Sequence, residues 1–343
     1  VKPFERTRLG GTEVEVTRLG LGLAPLAGLY RAVGAEQASA TVERAWELGF
    51  RYFDTAPLYG AGLSERRAGA VLAGKPRAEF AISTKVGRRL VPGQGEPRGE
   101  GRQRGEHEPA TEDRNDEIWS EPVDLAPVWD FSADGTRRSY AESLDRLGLD
   151  RADVLHIHDP DDHYGEAVAG ALPALVALRT EGRIGAVSVG MNQAEMLADF
   201  VRTGKLDAIL LAGRYTLLDQ SGLADLLPLC AERGVSVIAG GVYNSGLLAD
   251  PKPGATYDYL PAPAAVLDRA LAIQAVCARH GVPLRAAAIQ FPLSHPAVAS
   301  VVLGARSPDE VTDAAEMFAH PIPGQLWRDL KNSGLLPAEV PTP

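Results

Sequence analysis

Short apolar or β-branched runs recur along this chain between amphipathic stretches, and their alternation is regular enough to name a fold. After a first run at LGLGLAP come RYFDT, FAISTK, DVLHIH, AVSVG, AILLAG, VSVIAGG and VASVVLG. Between them lie stretches with helical spacing of apolar positions, among them EQASATVERAWELG, SERRAGAVLAG, GTRRSYAESLDRLG, GEAVAGALPALVALRTEG, QAEMLADFVRTG and SGLADLLPLCAERG. Several end on Gly, which accepts the left-handed backbone at a helix C-terminus. Eight strands, each followed by a helix, predict an α/β protein of the (β/α)8 TIM-barrel type, with catalytic groups at the strand C-termini. A doubly wound sheet is the alternative, but no GxGxxG opens a helix after the first strand.

Two segments depart from this rhythm. The N-terminal FERTRLGGTEVEVTRLGLG alternates polar and apolar residues around Gly10-Gly11, which predicts a β-hairpin capping the barrel bottom. Residues 88–130, after the third strand, are rich in Gly, Pro and charge and lack periodicity. A loop of that length is a lid or a mobile insertion. As a lid, it would bring Trp119 or Trp129 to the ligand. The whole chain, 1–343, reads as one domain.

Composition narrows the class. With 45% hydrophobic residues the chain can bury a large core, and a net charge of -10 argues against a polyanionic partner such as nucleic acid. Cys230 and Cys277 sit in apolar helical contexts and read as reduced core thiols. No long apolar run or signal-peptide pattern is present, so a cytoplasmic enzyme without membrane association is expected, as a monomer or small homo-oligomer.

The candidate chemistry lies at the strand ends. Asp54 closes RYFD, Tyr59 follows in the loop opened by Pro57, Lys85 ends FAISTK and His158 ends DVLHIH. By parity His156 and His158 both face the barrel interior, His156 a layer deeper, and Asp54 shares its face with Tyr52 and Phe50. An isolated phenol titrates near ~10, so Tyr59 needs a neighbouring cation to act near neutrality. Lys85 is the candidate, with Asp54 to hold it and His158 to bond the substrate oxygen or share a proton. HIHDPDDH also admits a metal-hydrolase reading, but later strands end on apolar residues or Gly and offer no further ligands.

These residues, with RYFDTAPLYGAGLSERRAG, STKVGRRLVP, SLDRLGLDRADVLHIHDPDD, VSVGMNQ, LLAGRYTLLDQ and YNSGLLA, resemble the aldo-keto reductases over nearly the whole chain. The likeness is to the bacterial branch that holds the aldose 1-dehydrogenases and pyridoxal 4-dehydrogenases. It implies a nicotinamide-dependent oxidoreductase with Tyr59 as general acid/base and Asp54, Lys85 and His158 completing a tetrad. Its substrate would be a hemiacetal of an aldose (L-fucose, D-arabinose, L-galactose) or of pyridoxal, oxidised to a lactone. An NADPH-dependent aldehyde or ketone reductase and a non-catalytic nucleotide-sensing subunit are the alternatives.

The resemblance also implies where the cofactor lies. The usual Ser-Asn after the fifth strand is replaced by Gly190-Met191, leaving Asn192 for the carboxamide, and the usual Gln of strand six is Leu210. Tyr215 would stack on the nicotinamide. Val242 to Leu248, including Asn244, Ser245, Gly246 and Leu247, would wrap the pyrophosphate. After the last strand, Gly304, Glu310 and Ala314 stand where NADPH-preferring relatives carry Lys, Arg and Asn. A carboxylate there favours ribose hydroxyls over a phosphate, so NAD is expected, with Arg306 the one cation left for NADP.

Overall fold

The structure is a computed structural model that describes residues 2–92, Trp119 and residues 125–342. Eight parallel strands close into a barrel in chain order: β1 (Leu19–Gly22), β2 (Tyr52–Asp54), β3 (Ala81–Val86), β4 (Val154–His158), β5 (Ala186–Met191), β6 (Ala208–Ala212), β7 (Ser236–Gly240) and β8 (Val298–Gly304). All eight coincide with the apolar runs. Around them pack α1 (Ala35–Leu48), α2 (Leu63–Leu72), α3 (Ala133–Leu147), α4 (Leu172–Thr180), α5 (Ala194–Arg202) and α6 (Leu226–Arg233). Two consecutive helices, α7 (Ala264–Arg279) and α8 (Leu284–Gln290), precede β8, and α9 (Pro308–Ala319) and α10 (Gly324–Asn332) follow it.

Strand alternation divides the apolar residues between two cores. Tyr52, Ala81, Val154, Leu210 and Ile238 fill the barrel, while Phe53, Ile82, Leu155 and Val187 face the helices. The alternation expected from Phe50 begins only at Tyr52. Phe50 precedes the strand and packs on Phe4 in the outer core, ring centroids 5.2 Å apart.

The N-terminal hairpin (Arg6–Arg8 with Glu15–Thr17) caps the barrel bottom as expected, inserting fully buried Leu9 and Val16 into the inner core. Its turn presses on the strand beginnings. Gly10 has φ +55°, its amide donates to Ser236 Oγ at 2.8 Å, and a Cβ there would meet the Asp207 carbonyl oxygen at 2.5 Å. Only glycine meets both demands.

Of the segment after β3, Arg88–Pro92 and Leu125–Trp129 pair antiparallel, and Trp119 bridges to Leu29. The expectation of a lid or mobile insertion over 88–130 otherwise falls on residues outside those described. Among the described residues no helix is long and apolar enough to cross a membrane.

Candidate active site

The barrel mouth around Tyr59 is assembled by three strands and one tightly wound loop. After β2 the chain turns through Gly60 (φ +57°), Ala61 (φ +46°) and Gly62 (φ +83°) before α2 begins. Thr55 Oγ1 and Ser64 Oγ lie 2.7 Å apart across this loop, and Ser64 Oγ donates to the Leu23 carbonyl at 3.0 Å. The loop therefore returns over the barrel mouth and delivers Tyr59 beside Lys85 and His158, which lie at the C-terminal ends of β3 and β4.

Lys85, 2% exposed, donates from Nζ to Asp54 Oδ2 at 2.7 Å and to the Thr55 carbonyl at 2.9 Å. Asp54 Oδ1 accepts from Ser83 Oγ at 2.6 Å, and Ser83 lies 3.1 Å from the Tyr52 hydroxyl. The carboxylate is buried with a hydrogen bond on each oxygen, as a buried charge has to be. His156, fully buried beneath it, has Nε2 3.6 Å from Asp54 Oδ1 and bonds Ser188 Oγ through Nδ1 at 2.8 Å. Burial drives the His156 pKa down to about 3, so it is neutral.

Tyr59 meets this group from above. Lys85 Nζ sits 4.8 Å from its ring centroid, and the His158 ring meets it edge-on with centroids 5.9 Å apart. The Tyr59 hydroxyl has no hydrogen-bond partner among the described residues, His158 Nε2 lies 3.5 Å from Asp159 Oδ2, and both side chains line a cavity of about 450 Å³. Burial, with the Arg88 and Lys85 charges nearby, pushes the His158 pKa well below the usual imidazole range. The lowering expected for Tyr59 is reversed here. Burial, and after it the Asp54 carboxylate, raises the phenol well above its ordinary value. Lys85 lies over the Tyr59 ring while bonded to Asp54, and its charge does not outweigh these two effects.

Two further charged residues shape this cavity, and sequence reasoning missed both as site residues. Asp159, next to His158, has left-handed backbone (φ +41°), and Arg88 Nη2 approaches its Oδ2 at 3.1 Å. Burial raises the Asp159 carboxyl to about 6 against the opposing pull of Arg88. Asp258, also left-handed (φ +48°), is held by Arg214 at 2.9 and 3.0 Å. Asp159 belongs to the HIHDPDDH stretch, singled out in the sequence for a metal reading; no signal marked Asp258. Trp119 lines the cavity, its ring centroid 5.9 Å from that of Tyr59. Trp129 instead stacks on Phe131 and under the Arg88 guanidinium, away from the cavity.

A second cavity of about 460 Å³ continues from the first toward the end of β8, and Leu29, Asn192, Ala212, Asp258 and Tyr259 line both. Asn192, expected at the carboxamide, is at this junction. Val242, Asn244, Ser245, Gly246, Gly304, Arg306 and Glu310 line the outer cavity. The amides of Val242, Tyr243 and Ser245 have no protein acceptor among the described residues, whereas those of Asn244, Gly246 and Leu247 are spent on turns. Asn244, 3% exposed, keeps Oδ1 unpartnered. An elongated groove with free backbone donors and an unpaired buried amide oxygen fits a dinucleotide.

Two expected cofactor residues are elsewhere. Tyr215, 1% exposed, packs its ring on Phe291 at 5.1 Å instead of facing the groove, and fully buried Leu247 points into the outer core. Glu310 is at the groove but already engaged. Its Oε1 accepts from Arg306 Nη2 at 2.8 Å, and its Oε2 accepts from the Arg306 amide at 2.8 Å. Ser307 Oγ accepts from the Glu310 amide at 3.2 Å, so the pair forms a variant capping box at the start of α9. Gly304 is constrained by packing, since a Cβ would meet Pro25 Cγ at 2.7 Å, and Ala314 is buried.

The chain is 45% identical to D-threo-aldose 1-dehydrogenase of Pseudomonas sp, over 94% of this chain and 95% of that one. It is 39% identical to pyridoxal 4-dehydrogenase of Microbacterium luteolum, over 98% and 99%. Its fold superposes on the holo form of an aldo-keto reductase from Bacillus halodurans with a TM-score of 0.72 at 26% identity, covering 98% of each chain. The model of the aldo/keto reductase family matches residues 18–333, and the chain belongs to that oxidoreductase family.

Proposed function

We propose that the protein oxidises the C1 hydroxyl of a cyclic hemiacetal, that of an aldose such as L-fucose, D-arabinose or L-galactose, or that of pyridoxal, to the lactone. The observation that carries this reading is the convergence of an unpartnered Tyr59 hydroxyl and a neutral His158 on one cavity wall, above the closed Lys85–Asp54 pair. The likeness to relatives named for aldose and pyridoxal oxidation supports the substrate class.

His158 bonds the substrate oxygen and orients the hydroxyl toward Tyr59. Tyr59 exchanges the hydroxyl proton as general acid/base, and Lys85, fixed by Asp54, stabilises the phenolate as it forms. A nicotinamide in the adjoining groove would supply the acceptor for the hydrogen and two electrons lost from C1. Asn192 at the junction and the free amides of Val242, Tyr243 and Ser245 would hold it.

NAD is the proposed cofactor, because each of the two arginines lining the outer cavity is already paired. Arg306 is held by Glu310, and Arg285 Nη2 lies 2.9 Å from Asp313 Oδ1. A 2′-phosphate would have to displace a carboxylate from one of them. One observation favours running the same chemistry as carbonyl reduction: the raised Tyr59 pKa keeps the phenol protonated and ready to donate. The test is appearance of reduced nicotinamide over a panel of aldoses and pyridoxal, with NAD and NADP in parallel. No turnover by folded protein on any member defeats the proposal.

A further inference from the structure

The substrate cavity has a feature that proton transfer does not use. Asp159 and Asp258 lie on its wall from opposite sides of the chain, one after β4 and one in the excursion between β7 and α7. Both adopt left-handed backbone, at φ +41° and +48°, a conformation that is uncommon for any residue but glycine. Both are also held by arginine. Arg88, itself 8% exposed and lying 4.2 Å over the Trp129 ring, contacts Asp159 through one oxygen, and Arg214 takes Asp258 with two nitrogens. The carboxylate side chains nonetheless stay 33% and 39% exposed.

This arrangement fits one ligand chemistry better than the others. A carboxylate has about four acceptor positions, and the arginine contacts leave several of them for the cavity. Each acid is neutralised by its arginine, so the wall does not call for a cationic ligand. An apolar ligand would strip water from these lone pairs and return nothing, which is costly for a charged acceptor. Neutral hydroxyl donors satisfy them. The unpartnered Tyr59 hydroxyl and the 6% exposed His158 line the same cavity and provide for the reacting oxygen. The aspartates are left for the rest of the substrate.

We propose that Asp159 and Asp258 are specificity-determining residues that accept hydrogen bonds from hydroxyls of a polyhydroxylated substrate away from its reacting carbon. The inference rests on the aldose reading above and assigns which residues read the sugar. Arg88 and Arg214 act through the two aspartates as positioning residues.

The experiment compares kcat/KM of the wild type, Asp159→Asn and Asp258→Asn on three kinds of substrate: aldoses with their single-deoxy analogues, pyridoxal, and benzaldehyde in the reductive direction. Asn is among the residues that best accept left-handed backbone, so both variants should keep the fold, which thermal melting checks. The ratio of aldose to benzaldehyde kcat/KM should fall by roughly 10- to 100-fold in each variant, the scale for losing a hydrogen bond to a charged acceptor. Should a variant fail to fold, the wild type alone decides, because at least one deoxy analogue should lose about tenfold or more against its parent. An unchanged ratio, equal rates on deoxy and parent sugars, or a loss confined to pyridoxal overturns the inference while leaving the aldose reading intact. A wild type that oxidises no aldose overturns both.

Discussion

Lys85 gives its ammonium to Asp54 at 2.7 Å and turns only the edge of its charge toward Tyr59, whose ring centroid is 4.8 Å away. The pair is the buried electrostatic keystone of the barrel mouth. Removing one member strands the other without solvent. Lys85→Met should therefore destabilise the fold by about 3–5 kcal/mol, read as a lowered denaturation midpoint, and abolish turnover as well.

The pH profile follows from the raised Tyr59 phenol. Oxidation needs the phenolate, which is the minor form at neutral pH because burial and Asp54 raise the pKa. Oxidative kcat/KM should rise roughly tenfold per pH unit through the alkaline range, whereas reduction, which uses the phenol, stays flat there. An oxidation rate that plateaus at neutral pH would show that another group is the base.

An acid limb should come from Asp159, whose carboxyl is raised to about 6 by burial. Arg88, Asp161 and Lys85 act on it electrostatically and His158 lies 3.5 Å away, but His158, with its lowered pKa, stays neutral in this window. Below about pH 6 the acid is protonated and loses acceptor capacity. Aldose kcat/KM should fall there, and Asp159→Asn should remove that limb.

Much of this was legible in the chain because it was periodic or local. The eight apolar runs are the barrel strands, and strand parity alone placed His156 under His158. Ion pairs between distant loops leave no such trace. Arg88 and Asp159 are 71 residues apart, and Arg214 and Asp258 are 44 apart, in segments without period. Tyr215 misled because it lies past the end of β6, where alternation no longer sets direction, and the ring falls onto Phe291. The engagement of Glu310 was readable in principle. Ser307-Pro308-Asp309-Glu310 has the S-x-x-E spacing of a capping box, which competes with a cofactor role for the same carboxylate.

Because Glu310 both caps α9 and neutralises Arg306, replacing it separates two effects. Glu310→Ala should lower stability by roughly 0.5–2 kcal/mol, the usual worth of a helix N-terminal cap. It should also free Arg306 and raise kcat/KM with NADP relative to NAD. A wild type that already prefers NADP contradicts the cofactor assignment.

The hairpin plug is tested at Gly10. Alanine there meets the Asp207 carbonyl oxygen and must hold φ +55°, so Gly10→Ala should cost about 1–3 kcal/mol. Gly11→Ala, where a Cβ has no atom within 4 Å, is the control and should be nearly silent.

The central claim, that Tyr59 moves the proton in hemiacetal oxidation, is tested most directly by comparing wild type and Tyr59→Phe. Formation of reduced nicotinamide from an aldose would be followed alongside cofactor affinity by fluorescence titration. Tyr59 lines the substrate cavity and is absent from the outer one. The expected result is oxidation by the wild type, a loss of roughly 10²–10⁴-fold in kcat on removing the hydroxyl, and cofactor affinity little changed. Oxidation that survives in Tyr59→Phe at near wild-type rate would contradict the account.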